Sequence, residues 1–245
     1  MAARIDERMV LAIWEAGELK HDLDRALVVL AHAMPDYSWE QLRRLSIGQR
    51  DLWLMEVRVE LFGPRIPIGV RCPHCGERLE FETTADALIP QSPSGKKDGV
   101  TVTADGWKLV ARLPDSRDLA ALDDSLDADL ARAFMAERLV ISAICNGVAA
   151  DPADMPDNVV SALSAALVEA DPMAEIGFAL ICPDCAAEWT LGFDIVSYFW
   201  HEISGFARDL LEEVHVLATA YGWPESEILA LSPIKRRAYI DRIRL

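Results

Sequence analysis

Two short turns, RCPHCGERLEF at residues 71–81 and ICPDCAAEWTL at residues 181–191, constrain this chain more than any other feature. Each is a Cys-Pro-x-Cys step, and more than 100 residues separate them. A CxxC turn presents two sulfurs at a spacing that one metal ion bridges, and Zn²⁺ prefers four tetrahedral thiolates. The flanks repeat as well. IPIGVRC leads into the first turn and IGFALIC into the second. Counting from the last cysteine of each, Trp189 and Leu191 stand level with Leu79 and Phe81. Apolar residues alternating with charged ones predict half-buried strands, so both turns read as knuckles at the tips of β-hairpins. Cys72, Cys75, Cys182 and Cys185 are therefore the expected ligands of one structural Zn²⁺, in a zinc ribbon split by a long insertion.

The rival chemistry is thiol redox. CPHC serves as a catalytic pair where a helix N-terminus and a neighbouring histidine depress the nucleophile's pKa. That role needs a helix directly after the motif, whereas RLEFETT alternates like a strand, and the second pair would be left without a task. Unligated thiols are the remaining alternative. His74 reads as a solvent-facing knuckle residue, and Cys145 as a small buried hydrophobe on the face of Ile141.

Composition narrows the function classes. The 245 residues are 51% hydrophobic, enough for a sizeable core. A net charge of −16 opposes phosphate backbones and anionic membranes. The N-terminal stretch carries Asp6, Glu7, Glu15 and Glu18 among its apolar residues, so it lacks an uninterrupted signal-peptide core. No run approaches the roughly 18 apolar residues of a membrane span. With five cysteines, four of them paired as CxxC, a cytoplasmic setting is expected.

Helical periodicity marks residues 22–34, ended by Pro35. Ser38 to Gln41 and Ser46 to Gln49 each match a capping box. The second opens a helix with Leu52, Met55, Val59 and Phe62 on one face, stopped at Gly63-Pro64. Between the knuckles come a loop, PQSPSGKKDG, and a hairpin, GVTVTADGWKLVARL, turning at Asp105-Gly106. Residues 116–146 read as one or two helices with Leu130, Phe134, Ile141 and Ile144 inward, and another helix covers 158–170. Residues 114–171 hold twelve acids against three arginines, an acidic surface suited to a basic partner. From about 195, an apolar stripe of Phe199, Ile203, Phe206, Leu210, Val214 and Leu217 predicts a long helix ending at Gly222. Short helices entered at Pro224 and Ser232-Pro233 follow, and KRRAYIDRIRL is the one marked basic cluster.

Other enzymatic patterns fail. His201-Glu202 begins like a zinc-protease motif, but Gly205 stands where the second histidine belongs. Ser94-Gly95-Lys96-Lys97 lacks the first glycine and the final hydroxyl of a phosphate loop. His215 and the pair Asp123-Asp124 read as solvated helix residues.

The C-terminal run resembles proteins encoded in phage tail and contractile injection gene clusters. The matching residues are Tyr221, Gly222, Trp223, Glu227, Ile228, Leu229, Leu231, Ser232, Pro233, Arg236, Arg237 and Tyr239, joined by LFGPRI, CPHCGERLEF and FDIVSYFWHEI. These are similar in turn to the zinc-binding T4-type baseplate assembly family. The resemblance implies a non-enzymatic assembly factor or minor component of a baseplate or hub, with structural zinc and protein partners in a baseplate, hub or tail tube. It implies no nucleic acid, membrane or small-molecule substrate, and a location in the cytoplasm or in a particle assembled there. The four knuckle cysteines carry over directly, although Ala186 replaces the glycine that Gly76 supplies in the first turn.

The expected architecture is α+β and mainly helical. It comprises an N-terminal helical region (1–65), the first half-ribbon (66–85), an inserted acidic hairpin-and-helix domain (86–174), the second half-ribbon (175–195) and a C-terminal helical region (196–245). Trp223, Tyr239, Arg236 and Arg237 are the expected exposed contact residues, since aromatics and arginine dominate interface energetics. The alternative readings are a zinc-ribbon nucleic-acid binder using the basic C-terminal helix, and a CxxC thiol oxidoreductase.

Overall fold

The computed structural model describes residues 6–89, 98–123 and 125–243. Residues 90–97 of the expected loop, including Ser94 to Lys97, and Asp124 lie outside the described residues. The architecture is mixed α/β and mainly helical. Four helices come first: α1 (Glu7–Gly17), α2 (Asp22–Ala33), α3 (Trp39–Arg43) and α4 (Ile47–Phe62). Strands β1 (Arg65–Arg71) and β2 (Arg78–Thr84) form the first hairpin, followed by the single turn α5 (Ala85–Leu88). The middle of the chain holds β3 (Gly99–Ala104), β4 (Trp107–Arg112), α6 (Ser116–Leu119), α7 (Ala128–Leu139), β5 (Val140–Cys145), β6 (Val148–Ala149) and α8 (Asp157–Ala170). The second hairpin, β7 (Ile176–Ile181) and β8 (Glu188–Phe193), leads into α9 (Ile195–Tyr221), α10 (Glu225–Ile228) and α11 (Pro233–Ile243).

The caps follow from the sequence. Ser38 and Gln41 complete a reciprocal capping box at α3. At α4 the Ser46 hydroxyl accepts from the Gln49 N–H, and Gly63 ends the helix at φ 84°. The long α9 starts on the Asp194 carboxylate and stops at Gly222 in the left-handed region. Five of the six expected stripe residues of α9 are buried, and Phe206 is half-buried.

Three cores result. The largest gathers α1, α2, α4, β1 and the first half of α9 around Ile13, Leu30, Met55, Ile66 and Phe199. Arg58, almost fully buried, ties α4 to α9 through two bonds to Glu202, 2.9 and 2.7 Å, while donating to the Gly63 carbonyl at 2.6 Å. Glu202 thus serves as a structural counter-ion. A second core lies between the sheet β3-β4-β5-β6 and helices α7 and α8, centred on Leu109, Leu139 and Leu163. A third packs α10 and α11 on the end of α9.

Residues 140–145 correct one expectation. They form strand β5, antiparallel to β4, and the helix ends at Leu139. Val140, Ile141 and Ile144 are β-branched, and Asn146-Gly147 turns the chain with both φ positive, 51° and 83°. The four residues expected to face inward are instead exposed: Leu130 57%, Phe134 36%, Ile141 69% and Ile144 37%. Ile141 is the extra residue where the register shifts between Val110 and Ala111. Cys145 is half-buried against the second core, opposite in orientation to its exposed neighbour Ile144.

Arg236 is the second correction. It is 2% exposed and lies between Glu213, 2.7 Å, and Glu7, 2.8 Å, with a further bond to the Leu231 carbonyl. It fixes α11 to α9 and α1 and is not available for external contact. Arg237 is exposed, while Trp223 and Tyr239 are half-buried in an aromatic cluster with Tyr221.

Candidate metal centre

Each knuckle is a tight turn closed by two backbone bonds. In the first, Cys72 N–H donates to the Glu77 carbonyl and Gly76 N–H to the Cys72 carbonyl, at 2.8 and 2.9 Å. In the second, Cys182 N–H donates to Ala187 and Ala186 N–H to Cys182, both at 2.9 Å. Gly76 and Ala186 take the same left-handed conformation, φ 78° and 56°. The second turn is therefore as tight as the first, although its residue carries a Cβ.

The hairpins bring the turns together. Phe81 of β2 meets Phe178 of β7 edge-on at 5.4 Å, and Phe178 continues to Phe193 and Tyr198. Beyond this aromatic stack the four sulfurs converge. Cys72 Sγ lies 3.7 Å from Cys185 Sγ, and Cys75 Sγ lies 3.6 Å from Cys182 Sγ. All four fall within 4.8 Å of one another. A disulfide needs about 2.05 Å, so these are thiols. Thiolates at about 2.3 Å from a tetrahedral Zn²⁺ stand about 3.8 Å apart, close to the two shortest spacings here. The donor set and its spacing fit the ion. Cys72 and Cys182 are buried, and Cys75 and Cys185 face solvent.

The electrostatics point the same way. Desolvation raises the Cys72 thiol, yet N–H groups of Cys75 and His74, with the thiols of Cys75 and Cys182, bring it down to about 6. At Cys75 the Glu77 N–H favours the thiolate, but desolvation and the sulfurs of Cys185, Cys182 and Cys72 push it up to about 12. Cys185 is also raised. Thiolates so close repel one another, and a divalent ion at their centre would offset that penalty. A strand follows each turn, so neither pair sits at a helix N-terminus, the device that activates redox dithiols. His74 is exposed at the knuckle surface, and His201 and His215 are exposed on α9.

A set of contacts invisible as a motif fastens the middle unit to the helical body. Gly48 N–H, in the first turn of α4, donates to Asp171 Oδ2 at 2.8 Å across 123 residues. Ile47 N–H donates to the Pro114 carbonyl, Ser46 bridges to Asp115, and Arg50 reaches Ser116 Oγ at 3.4 Å. Beside them Asp51, paired with Arg50 at 2.7 Å, is pushed up to about 6, chiefly by burial and further by Asp194 and Asp171. It lines a cavity of about 340 Å³ with Ile47, Leu119, Met173 and Phe193. Within the middle unit, burial raises the Asp118 carboxyl, but Arg112, the Asp115 N–H and Arg138 together hold it down at about 2. No local sequence pattern announces the long-range pairs, Gly48 with Asp171 and Arg50 with Ser116, because their partners lie far apart in the chain.

Helices at both ends, two cysteine hairpins and an acidic segment between them define a mixed α/β protein with a four-cysteine cluster. The chain belongs to the T4 bacteriophage base plate protein family, whose model matches residues 22–200, well over half of its length. The match runs from α2 into α9 and takes in both knuckles and the unit between them, while the Tyr221 to Tyr239 segment lies beyond it. No curated protein and no solved structure gives a match. Membership assigns a structural part in a phage baseplate. Among the described residues, no helix is long and apolar enough to cross a membrane.

Proposed function

We propose that the chain is a non-enzymatic assembly factor or minor component of the baseplate or hub of a contractile, phage-tail-like particle, and that its four cysteines hold one structural Zn²⁺. The observation that carries this reading is the convergence of Cys72, Cys75, Cys182 and Cys185 from hairpins at the two ends of the middle unit, within a chain of the baseplate family. In this reading the two hairpins are halves of a split zinc ribbon. The ion supplies architecture: structural zinc contributes on the order of 10 kcal/mol to folding. Its ligands join a site near residue 70 to one near 180. The base of the acidic unit is thereby locked to the helical body, and partners meet a fixed surface.

The basic C-terminal helix offers nucleic acid less than its sequence suggests, since Arg236 is neutralised by Glu7 and Glu213 and Arg237 faces Asp241 at 3.3 Å. Protein contacts remain the favoured mode. Deleting the gene from a particle-producing strain tests the proposal. The expected result is sheath and tube material without finished baseplates, restored by the wild-type gene. Normal contractile particles from the deletion strain would overturn it.

A further inference from the structure

Two exposed features have no role in the fold just described. Helix α7 buries only Ala136 and Leu139, at its C-terminal end, and packs on α8. Nearer its start Leu130 and Phe134, four residues apart and so on one face, are 57% and 36% exposed. Asp127, Asp129 and Glu137 stand on the same helix or at its cap, and all are exposed. Of the bases nearby, Arg138 is held by Asp118, which leaves Arg132 alone to offset them, paired at 3.4 Å with Asp129. The second feature is α11, which packs on α9. Its Ile234 is 83% exposed, with Lys235 and Arg237 exposed beside it.

An acid-flanked apolar pair on one helix and a base-flanked isoleucine on another are complementary in both charge and hydropathy. We propose that they meet between copies: α11 of one chain lies on α7 of a second copy, Ile234 against Leu130 and Phe134, with Lys235 and Arg237 toward Asp127 and Asp129. Net charge favours this pairing over others. At −16, like-charged patches of two copies repel, whereas Lys235 and Arg237 on α11, the latter 3.3 Å from Asp241, are exposed bases that an acidic face attracts. The two patches differ, so the contact is heterologous: each added copy leaves one donor helix and one acceptor face free, and the assembly closes into a ring or grows. The inference goes beyond the assembly role and does not need it, because its readout is the protein's own mass.

Sedimentation of the full-length protein over a concentration series, at low and at high salt, tests it. In low salt the average mass should rise above that of one chain as concentration increases, and fall back in high salt. Leu130→Asp and Ile234→Asp should each remain monomeric with unchanged circular dichroism, both positions being exposed. An equimolar mixture of the two variants should give a species of two chains and nothing larger, since one intact donor meets one intact acceptor. Should either substitution disturb folding, charge exchange substitutes for it. Lys235→Glu with Arg237→Glu should abolish association, and adding Asp129→Lys to the same chain, with Asp127 kept as the cap of α7, should restore part of it. A wild-type protein that stays monomeric throughout, association indifferent to these substitutions, or a variant mixture that stays monomeric would overturn the proposal.

Discussion

Ala186 holds a backbone conformation that L-residues avoid, φ 56°, at the position where the first knuckle has Gly76 at φ 78°. The strain of a Cβ in the left-handed region is about 1 kcal/mol. Ala186→Gly should therefore stabilise the chain by a few tenths to about 1 kcal/mol, part of the relief being lost to the greater freedom of glycine when unfolded. Denaturant titration checks this, with Gly76→Ala moving about as far the other way. Asp51 is a second site where strain is local. Its carboxyl is raised from 3.8 to about 6, chiefly by burial, so between those values the native state binds more protons than the unfolded one. Stability from this group is therefore fully present below about pH 4 and is lost as pH rises to about 6. Asp51→Asn should remove this fall in stability between about pH 4 and pH 6, even though it leaves the buried Arg50 guanidinium without its counter-charge. An undiminished fall in the variant would show that another group is its cause.

Among elements, the junction of α4 with the middle unit is as specific as the cysteine cluster and was hidden in the sequence. A Cβ on Gly48 would lie 2.1 Å from Asp171 Oδ1 and 3.0 Å from the Ala174 backbone nitrogen. The carboxylate that completes the α4 N-terminus needs this residue to be glycine. Gly48→Ala should cost about 1–3 kcal/mol by forcing Asp171 away, and adding Asp171→Ala should cost little more, since the same bond is already broken. Additive losses in thermal melts of the two single variants and the double would contradict the shared contact. The hairpins and α9 were legible because their periods are long and unmixed: alternation around each CPxC turn, and a stripe from Phe199 to Leu217. Strand β5 was not, because Ile141 and Ile144 stand three apart as in a helix, and the bulge at Ile141 spoils the alternation. The signal that identifies it is Asn146-Gly147, a hairpin turn lying between Ile144 and Val148. Helix α1 escaped individual notice. Arg236 was misassigned because a basic run gives no hint that Glu7 and Glu213 arrive from two other helices.

For the molecule as a whole, the proposed zinc would join four thiols across more than 100 residues and so hold the acidic middle of the chain to the helices on either side. The CxxC spacing and the matching register of the flanks made the convergence of the four cysteines legible before any coordinates. The polar seam at Gly48, Asp171 and Arg50 was not legible, since it depends on tertiary approach alone. Zinc content measured by elemental analysis of purified, reduced protein tests the central claim most directly. One zinc per chain is expected, released together with loss of folded structure when Cys72 or Cys182 is replaced by Ser. Fully folded protein with no bound metal would contradict it.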